Sequence, residues 1–336
     1  MNRSAIRPWK LPATVGIACV IASLLVVALT QAAPGTQLVS RNSGGGAADA
    51  HSTLPVGTAL SRDGALVAFG SQASNLPGGD GVTPQVYVRN TNARKTRLVS
   101  INAARDPAAS FVYPTGISAD GRFVGFSGLG AGLPGANGQT QVWVHDRKTR
   151  RTALASRTAG GEPADSGSSG GTLSADGRWT AFDSSATNLP GGGSGLSAVY
   201  LHDRKRKRTL RVSRANGGAP ATGYVYGQAI SADGSRIAFY SDDGSLPGAD
   251  GSTNHVYVRD RKRGRTILVD RAAGGAVADA PSYNPSISGN GRFVIFESQA
   301  TNLPGAGASS NQVYVRDLKR GRTRLVGRNS AGQPQT

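Results

Sequence analysis

The apolar positions of this chain fall in short runs, not in the long stripes of amphipathic helices. Arg122-Phe123-Val124-Gly125-Phe126 and Val256-Tyr257-Val258 are typical. Short runs punctuated by Gly, Asp and Pro predict β-strands. They are apolar on both faces rather than alternating, as a sheet covered on both sides requires. The pattern also repeats. Ser61-Arg62-Asp63-Gly64 returns as Ser118-Ala119-Asp120-Gly121, Ser174-Ala175-Asp176-Gly177, Ser231-Ala232-Asp233-Gly234 and Ser288-Gly289-Asn290-Gly291, at spacings of 57, 56, 57 and 57 residues. In register behind these stand Phe69, Phe126, Phe182, Phe239 and Phe296. Next come Tyr87, Trp143, Tyr200, Tyr257 and Tyr314, then Thr96, Thr152, Thr209, Thr266 and Thr323.

Each unit reads as four strands. The first ends in Asp-Gly, a hairpin signal because such a turn needs positive φ. The second carries the Phe, the third is Val-aromatic-Val, and the fourth is Thr-x-Leu-Val-Ser, as in Thr96 to Ser100. A Leu-Pro-Gly loop opened by Leu76, Leu133, Leu189, Leu246 or Leu303 separates the second and third strands. A β-sandwich also has short, evenly spaced strands, but strict identity of turns and aromatics at one period predicts radial repetition. The expected fold is all-β: a β-propeller of five four-stranded blades, one domain over residues 33–336. The small Ala68, Gly125, Ala181 and Ala238 let adjacent blades approach, and Ile295 predicts that the fifth packs differently. Thr36 to Ser40 reads as a spare N-terminal strand with no blade before it, placed to cap an edge or pair where the ring closes. Five blades and a monomer are expected, with a six-fold ring completed by another chain as the alternative.

The unit Ile117-Ser118-Ala119-Asp120-Gly121-Arg122-Phe123-Val124-Gly125-Phe126-Ser127, followed by Val142-Trp143-Val144-His145-Asp146-Arg147, resembles the TolB-like propeller repeat. It is also similar to the propeller of the prolyl oligopeptidase group. The resemblance runs from Thr36 to the C-terminus. It implies an exported bacterial propeller that binds other proteins or envelope components. The segment before Thr36 is too short for the α/β domain that precedes the propeller in TolB itself, so the Tol–Pal role is not part of the expectation. An oligopeptidase-type catalytic domain would need roughly 250 further residues. Secreted relatives carry an acidic, Asn-rich inserted loop that looks like a cation site. Here the loops hold only Asp80, Asn137 and Asp250 in turn, too few ligands for a hard cation.

Residues 1–32 differ from the rest. Arg3, Arg7 and Lys10 precede an apolar run from Leu11 to Leu29, and Thr30-Gln31-Ala32 offers a small-residue cleavage site. This reads as a secretory signal. An uncleaved anchor that tethers the propeller to a membrane is the rival. Export, to an extracellular or periplasmic address, is expected either way. Cys19, the only cysteine, lies inside this leader without the Leu expected three residues before a lipidated Cys. Residues 33–336 therefore have no disulfide, no cysteine-ligated zinc and no thiol nucleophile.

Little supports catalysis. Gly167-Ser168-Ser169-Gly170-Gly171 has the letters of a nucleophile elbow but reads as a Gly/Ser-rich connector. Gly130-Ala131-Gly132-Leu133-Pro134-Gly135 resembles a dinucleotide fingerprint with no helix behind it. His145, His202, His255 and His51 do not recur in all five units and read as surface side chains rather than metal ligands. Asp146, Asp203, Asp260 and Asp317 read as caps or ion-pair partners of the turns they open. The first-strand residues Ala59, Gly116, Thr172, Ala229 and Ser286 are expected to line the channel, and none is charged. No catalytic residue, cofactor or metal is assigned. An enzyme with a central-channel site, such as a carbohydrate-processing propeller, is the alternative, and it would need acids converging from several blades.

Charge changes the picture more. The formal net charge is +18; three leader cations account for part of it, and residues 33–336 keep +15. The excess collects between third and fourth strands: Arg147, Lys148, Arg150 and Arg151; Arg204, Lys205, Arg206, Lys207 and Arg208; Arg261, Lys262, Arg263 and Arg265; Lys319, Arg320 and Arg322. In a propeller these turns share one face with the Asp-Gly turns, so that face would carry a ring of positive charge. Such a ring suits an anionic envelope polymer, bound in a salt-sensitive way. The plainer reading is that it keeps strand edges soluble. No aromatics interleave, so sequence-specific nucleic-acid binding is not indicated. The leading expectation is a non-enzymatic secreted or cell-surface scaffold for proteins or envelope polyanions.

Overall fold

The computed structural model describes residues 36–55, 57–192, 195–306, 311–327 and 329. The leader with Cys19 lies outside them. The chain divides into two units, residues 1–39 and 40–336. In the first, the described residues 36–39 have no regular structure. The second is a β-propeller of five antiparallel four-stranded sheets. Blade 1 comprises β1 (Ser52–Thr53), β2 (Leu66–Ser71), β3 (Gln85–Asn90) and β4 (Lys95–Leu98). Blade 2 comprises β5 (Val112–Ile117), β6 (Phe123–Gly128), β7 (Gln141–Asp146) and β8 (Arg151–Leu154). Blade 3 comprises β9 (Ser168–Leu173), β10 (Trp179–Ser184), β11 (Ala198–Asp203) and β12 (Arg208–Arg211). Blade 4 comprises β13 (Val225–Ile230), β14 (Arg236–Ser241), β15 (His255–Asp260) and β16 (Arg265–Leu268). Blade 5 comprises β17 (Ser282–Ile287), β18 (Phe293–Ser298), β19 (Gln312–Asp317) and β20 (Arg322–Leu325).

The repeated letters act locally before they act globally. In blade 2 the Ser118 hydroxyl donates to Asp120 at 2.5 Å and accepts from the Phe123 N–H at 2.9 Å, while Asp120 also accepts from the Arg122 N–H. Gly121 closes the turn at φ 68°, where a Cβ would strain the backbone. The same Cβ would stand 2.1 Å from Leu66 of blade 1, so the glycine also admits the preceding blade. Each Phe stacks on the aromatic of its third strand, as Phe126 does on Trp143 at 6.0 Å. Such pairs contribute about 0.5–1.5 kcal/mol beyond their burial.

Blades join through the small second-strand residues. Ala68, Ala181 and Ala238 are fully buried. A Cβ on Gly125 would lie 2.6 Å from Thr115 Oγ1 and 2.8 Å from the Gly171 carbonyl of the next blade. Apolar clusters bridge blades 1 and 2, 2 and 3, 3 and 4, and 4 and 5. A belt of backbone hydrogen bonds links the Asp-Gly turns in order: Arg62 N–H to Ala119, Ala119 to Ala175, Ala175 to Ala232, and Ala232 to Gly289.

Among the described residues no cluster and no belt bond joins blade 5 back to blade 1. Gly64 has nothing within 4 Å where Gly121 meets Leu66. Phe293, Ile295 and Val313 are 38–45% exposed, while Ala181 and Val199, which hold the places of Ile295 and Val313 in blade 3, are buried. Ile295 thus sits on an open face, and that is how the fifth blade differs. The expected strand over Thr36 to Ser40 does not form. Each blade draws its four strands from its own repeat.

Candidate functional site

The basic turns and the Asp-Gly turns do share one face. In blade 2, Arg122 of the Asp-Gly turn grips Asp146 with Nε at 2.9 Å and Nη2 at 2.7 Å, and Lys148 N–H donates to the same carboxylate at 3.0 Å. Arg178 with Asp203, Arg236 with Asp260 and Arg292 with Asp317 repeat the pair. The Arg122 guanidinium holds the Asp146 carboxyl, and Arg292 that of Asp317, well below the usual carboxylate range. The acid after the third strand therefore both caps its turn and pairs, but in blades 2, 3 and 5 its ion-pair partner comes from the Asp-Gly turn. Among the described residues only Arg263 pairs with an acid of its own turn, at 2.9 Å from Asp260.

The first cation of three turns is structural. Arg147, Arg204 and Arg261 donate to the carbonyls of Gly121, Gly177 and Gly234. Arg204 lies over the Phe123 ring of the preceding blade at 3.8 Å, and Arg261 over Trp179 at 3.8 Å. Burial lowers the pKa of all three guanidinium groups. Lys262 pairs with Asp233 at 2.8 Å. The rest of the predicted set, Lys148, Arg150, Arg151, Lys205, Arg206, Lys207, Arg208, Arg265, Lys319, Arg320 and Arg322, is exposed and forms no ion pair among the described residues.

The histidines are not surface side chains, His51 excepted. His145 and His202 are each 3% exposed and His255 is 1% exposed. His145 Nδ1 lies 3.0 Å from Thr152 Oγ1 and His202 Nδ1 lies 3.1 Å from Thr209 Oγ1. The connecting segments that follow one blade's fourth strand cover these positions in the next. His255 Nδ1 meets Asp270 Oδ2 at 2.8 Å inside blade 4.

On the other face the inserted loops are built by their acids. Asp80 accepts from the N–H groups of Val82 and Thr83, and Asp250 from those of Ser252 and Thr253. The Thr83 hydroxyl together with these N–H groups holds the Asp80 carboxyl at a pKa of about 2, and the N–H groups of Ser252 and Thr253 hold that of Asp250 at about 2.

A cavity of about 730 Å³ runs along the axis, lined by residues of all five blades. Gly116, Thr172, Ala229 and Ser286 line it as expected. In blade 1, Gly57 and Thr58 take the place expected of Ala59, because the short β1 ends early and the chain crosses to blade 2 through Gly57 N–H to Thr115 O, 3.1 Å. The lining also holds an acid that the first-strand positions do not reveal. Asp183 stands on β10, where the other blades have Gly70, Ser127, Tyr240 and Glu297. Ser169 donates to it at 2.7 Å, Gln228 of blade 4 bonds it too, and burial pushes its carboxyl up. Ser169 is the central serine of the Gly167 to Gly171 motif, which proves to lie at the start of strand β9 rather than in a connector. None of the described histidines lines the cavity, so Ser169 has no imidazole base there.

No protein-family model matches the chain, and no curated protein matches it in sequence. Among solved structures it is similar to TolB from Acinetobacter baumannii, at 18% identity and a TM-score of 0.47, over 82% of this chain and 54% of that one. A protein assigned as TolB from Agrobacterium tumefaciens gives 15% and 0.49, over 82% and 80%. An acylaminoacyl peptidase from Pyrococcus horikoshii gives 16% and 0.47, over 83% and 39%. The chain thus spans about half the length of the Acinetobacter protein. These are likenesses of fold alone.

Proposed function

We propose that the chain is an exported, non-enzymatic scaffold that holds an anionic polymer of the cell envelope against its basic face. The carrying observation is the set of exposed cations, from Lys148 through Arg322, that no acid of the described chain neutralises. Their backbone supports the reading. Arg150 and Lys207 hold φ of 56° and 52° where blades 4 and 5 use Gly264 and Gly321. A side chain there costs roughly 1 kcal/mol relative to glycine, so these cations are kept against local strain. Export rests on the leader pattern of residues 1–32. Among the described residues no helix is long and apolar enough to cross a membrane.

The test is binding of poly(glycerol phosphate) to the purified full-length chain across a salt series. Charge-dominated binding falls steeply as salt rises. The triple variant Lys205→Glu, Arg206→Glu, Arg208→Glu leaves the stacked Arg204 in place and should lose most of the affinity. Binding that ignores both salt and the triple variant removes the basic face from consideration.

A further inference from the structure

Opposite the basic face, the mouth of the axial cavity is rimmed by aromatic rings. Tyr224 and Tyr226 lie nearly parallel, with ring centroids 5.9 Å apart and planes 7° apart, and are 47% and 38% exposed. Tyr226 meets Tyr240 across the strand pair at 5.9 Å, and Tyr240 meets Tyr283 of the next blade edge-on at 5.6 Å. Tyr113 occupies the corresponding place in blade 2 and is 46% exposed. These rings adjoin the cavity itself. A Cβ on Gly227, which lines it, would stand 2.7 Å from Tyr240 Cε1 and 3.7 Å from Pro285, another lining residue.

Tyrosine rings left open to water in a row are not core residues. Burial would bring each a substantial apolar gain, so an exposed set next to a concave site marks a place where something else covers them. The polar groups beside them say what kind of molecule. In a chain of net charge +18, the one charged residue among the described residues that line the cavity is Asp183. An anion is disfavoured by that carboxylate, and a cation by the protein as a whole. Asp183 is also already engaged by Ser169 and Gln228. The Gln228 amide lies over Gly170, where a Cβ would come within 1.4 Å of it, so the glycine is what admits the amide to the cavity. What remains is a set of uncharged donors and acceptors next to flat aromatic faces, around a space in the range of about 300–1,000 Å³ that holds small ligands.

We propose that this mouth binds an uncharged carbohydrate, its sugar rings stacked on Tyr224 and Tyr226 and its hydroxyls bonded by Asp183, Gln228 and Ser169. A pyranose in the chair form has the matching anatomy. Its axial C–H groups make a flat apolar face, and its equatorial hydroxyls make a polar edge. The site is separate from the basic face and does not depend on a polyanion binding there.

The test uses neutral probes, which keep the basic face out of the measurement. Cellohexaose and chitohexaose are titrated calorimetrically into the full-length chain. The expected result is that at least one binds, with an affinity that changes little between about 50 and about 500 mM salt. Tyr226→Ala should weaken it by about tenfold, the worth of one aromatic face. Tyr226→Phe keeps the ring and should retain binding, and Asp183→Asn should weaken it. Both tyrosines are exposed, so the variants should fold, and circular dichroism checks that they do. The proposal is overturned if neither sugar binds at about 5 mM, or if binding survives Tyr224→Ala and Tyr226→Ala together.

Discussion

The Arg204 guanidinium lies 3.8 Å over the Phe123 ring of the neighbouring blade while its Nη1 donates to the Gly177 carbonyl. Arg122 covers the same ring at 4.7 Å, so Phe123 is held between two cations. Part of the basic face is therefore inter-blade packing, and part is free charge. Arg204→Ala should lower stability by about 1–2 kcal/mol, the sum of a partly buried cation–π contact and a hydrogen bond. Arg208→Ala, exposed and unpaired, should stay within about 0.5 kcal/mol. Urea unfolding of the two variants separates the roles. Equal losses would mean that Arg204 is not an anchor.

Phe293 repeats Phe123 in blade 5, and among the described residues only Arg292 lies over its ring, at 4.8 Å. It is 38% exposed against 7% for Phe123. Phe123→Ala should therefore cost about 3 kcal/mol or more, as large core truncations do. Phe293→Ala should cost less than half as much. Similar losses at the two positions would show that something covers blade 5 in solution, and sedimentation velocity would then reveal a larger species.

The blades were legible because their signals are local. The Ser-x-Asp-Gly turn, the Phe and the Val-aromatic-Val run each act within one unit, so five copies in register reveal strand order without any long-range information. The faces were legible for the same reason, since a hairpin turn must lie at the end of its strands. Asp183 was not. Its position is glycine, serine, tyrosine or glutamate elsewhere, so the repeat gives it no weight, and only the approach of Gln228 from blade 4 makes it a site. The buried histidines were missed because their burial comes from a connecting segment some fifty residues earlier, as when Thr152 donates to Ile101. Ring closure was missed because the repeat describes how a blade meets the next one, and says nothing of the last.

His145 and His202 predict a specific acid sensitivity. Thr152 and Thr209 spend their hydroxyl protons on the carbonyls of Ile101 and Arg157, so each must accept from its histidine Nδ1–H. In blades 1, 4 and 5 the donor at this place is Arg89, Arg259 or Arg316. Burial lowers both imidazole pKa values to about 4. The unfolded imidazoles take up protons near pH 6.5 and the folded ones do not, so stability is full above about pH 6.5 and falls as pH drops towards 4. The loss should reach about 3 kcal/mol for each histidine at the lower end. His145→Arg supplies a permanent donor and should flatten its share of the slope. A stability profile unchanged by that substitution between pH 4 and 6.5 would refute the assignment.

The His255 and Asp270 pair in blade 4 predicts a non-additive result. Blades 1 and 2 fill the same two places with Gln85 and Ser100, and Gln141 and Ser156. There the serine accepts from the following Val N–H, and the glutamine amide reaches the carbonyl of Ala108 or Ala164. Asp270 keeps the first bond, to Val256 N–H at 3.1 Å, but His255 Nε2 is buried without a partner. The pair thus replaces a fully bonded neutral arrangement with a partly satisfied ionisable one, which is no source of extra stability by itself. Asp270→Ala strands the imidazole and the Val256 N–H together and should cost about 3 kcal/mol. The double variant His255→Gln, Asp270→Ser rebuilds the arrangement of blades 1 and 2, with Ala278 placed to receive the amide. It should be at least as stable as the natural chain, although each change alone leaves a buried group unpaired. Chemical denaturation of the two singles and the double closes the cycle. Losses that simply add would mean that the two residues do not act as a unit, and that a His–Asp pair stands in blade 4 for some reason other than packing.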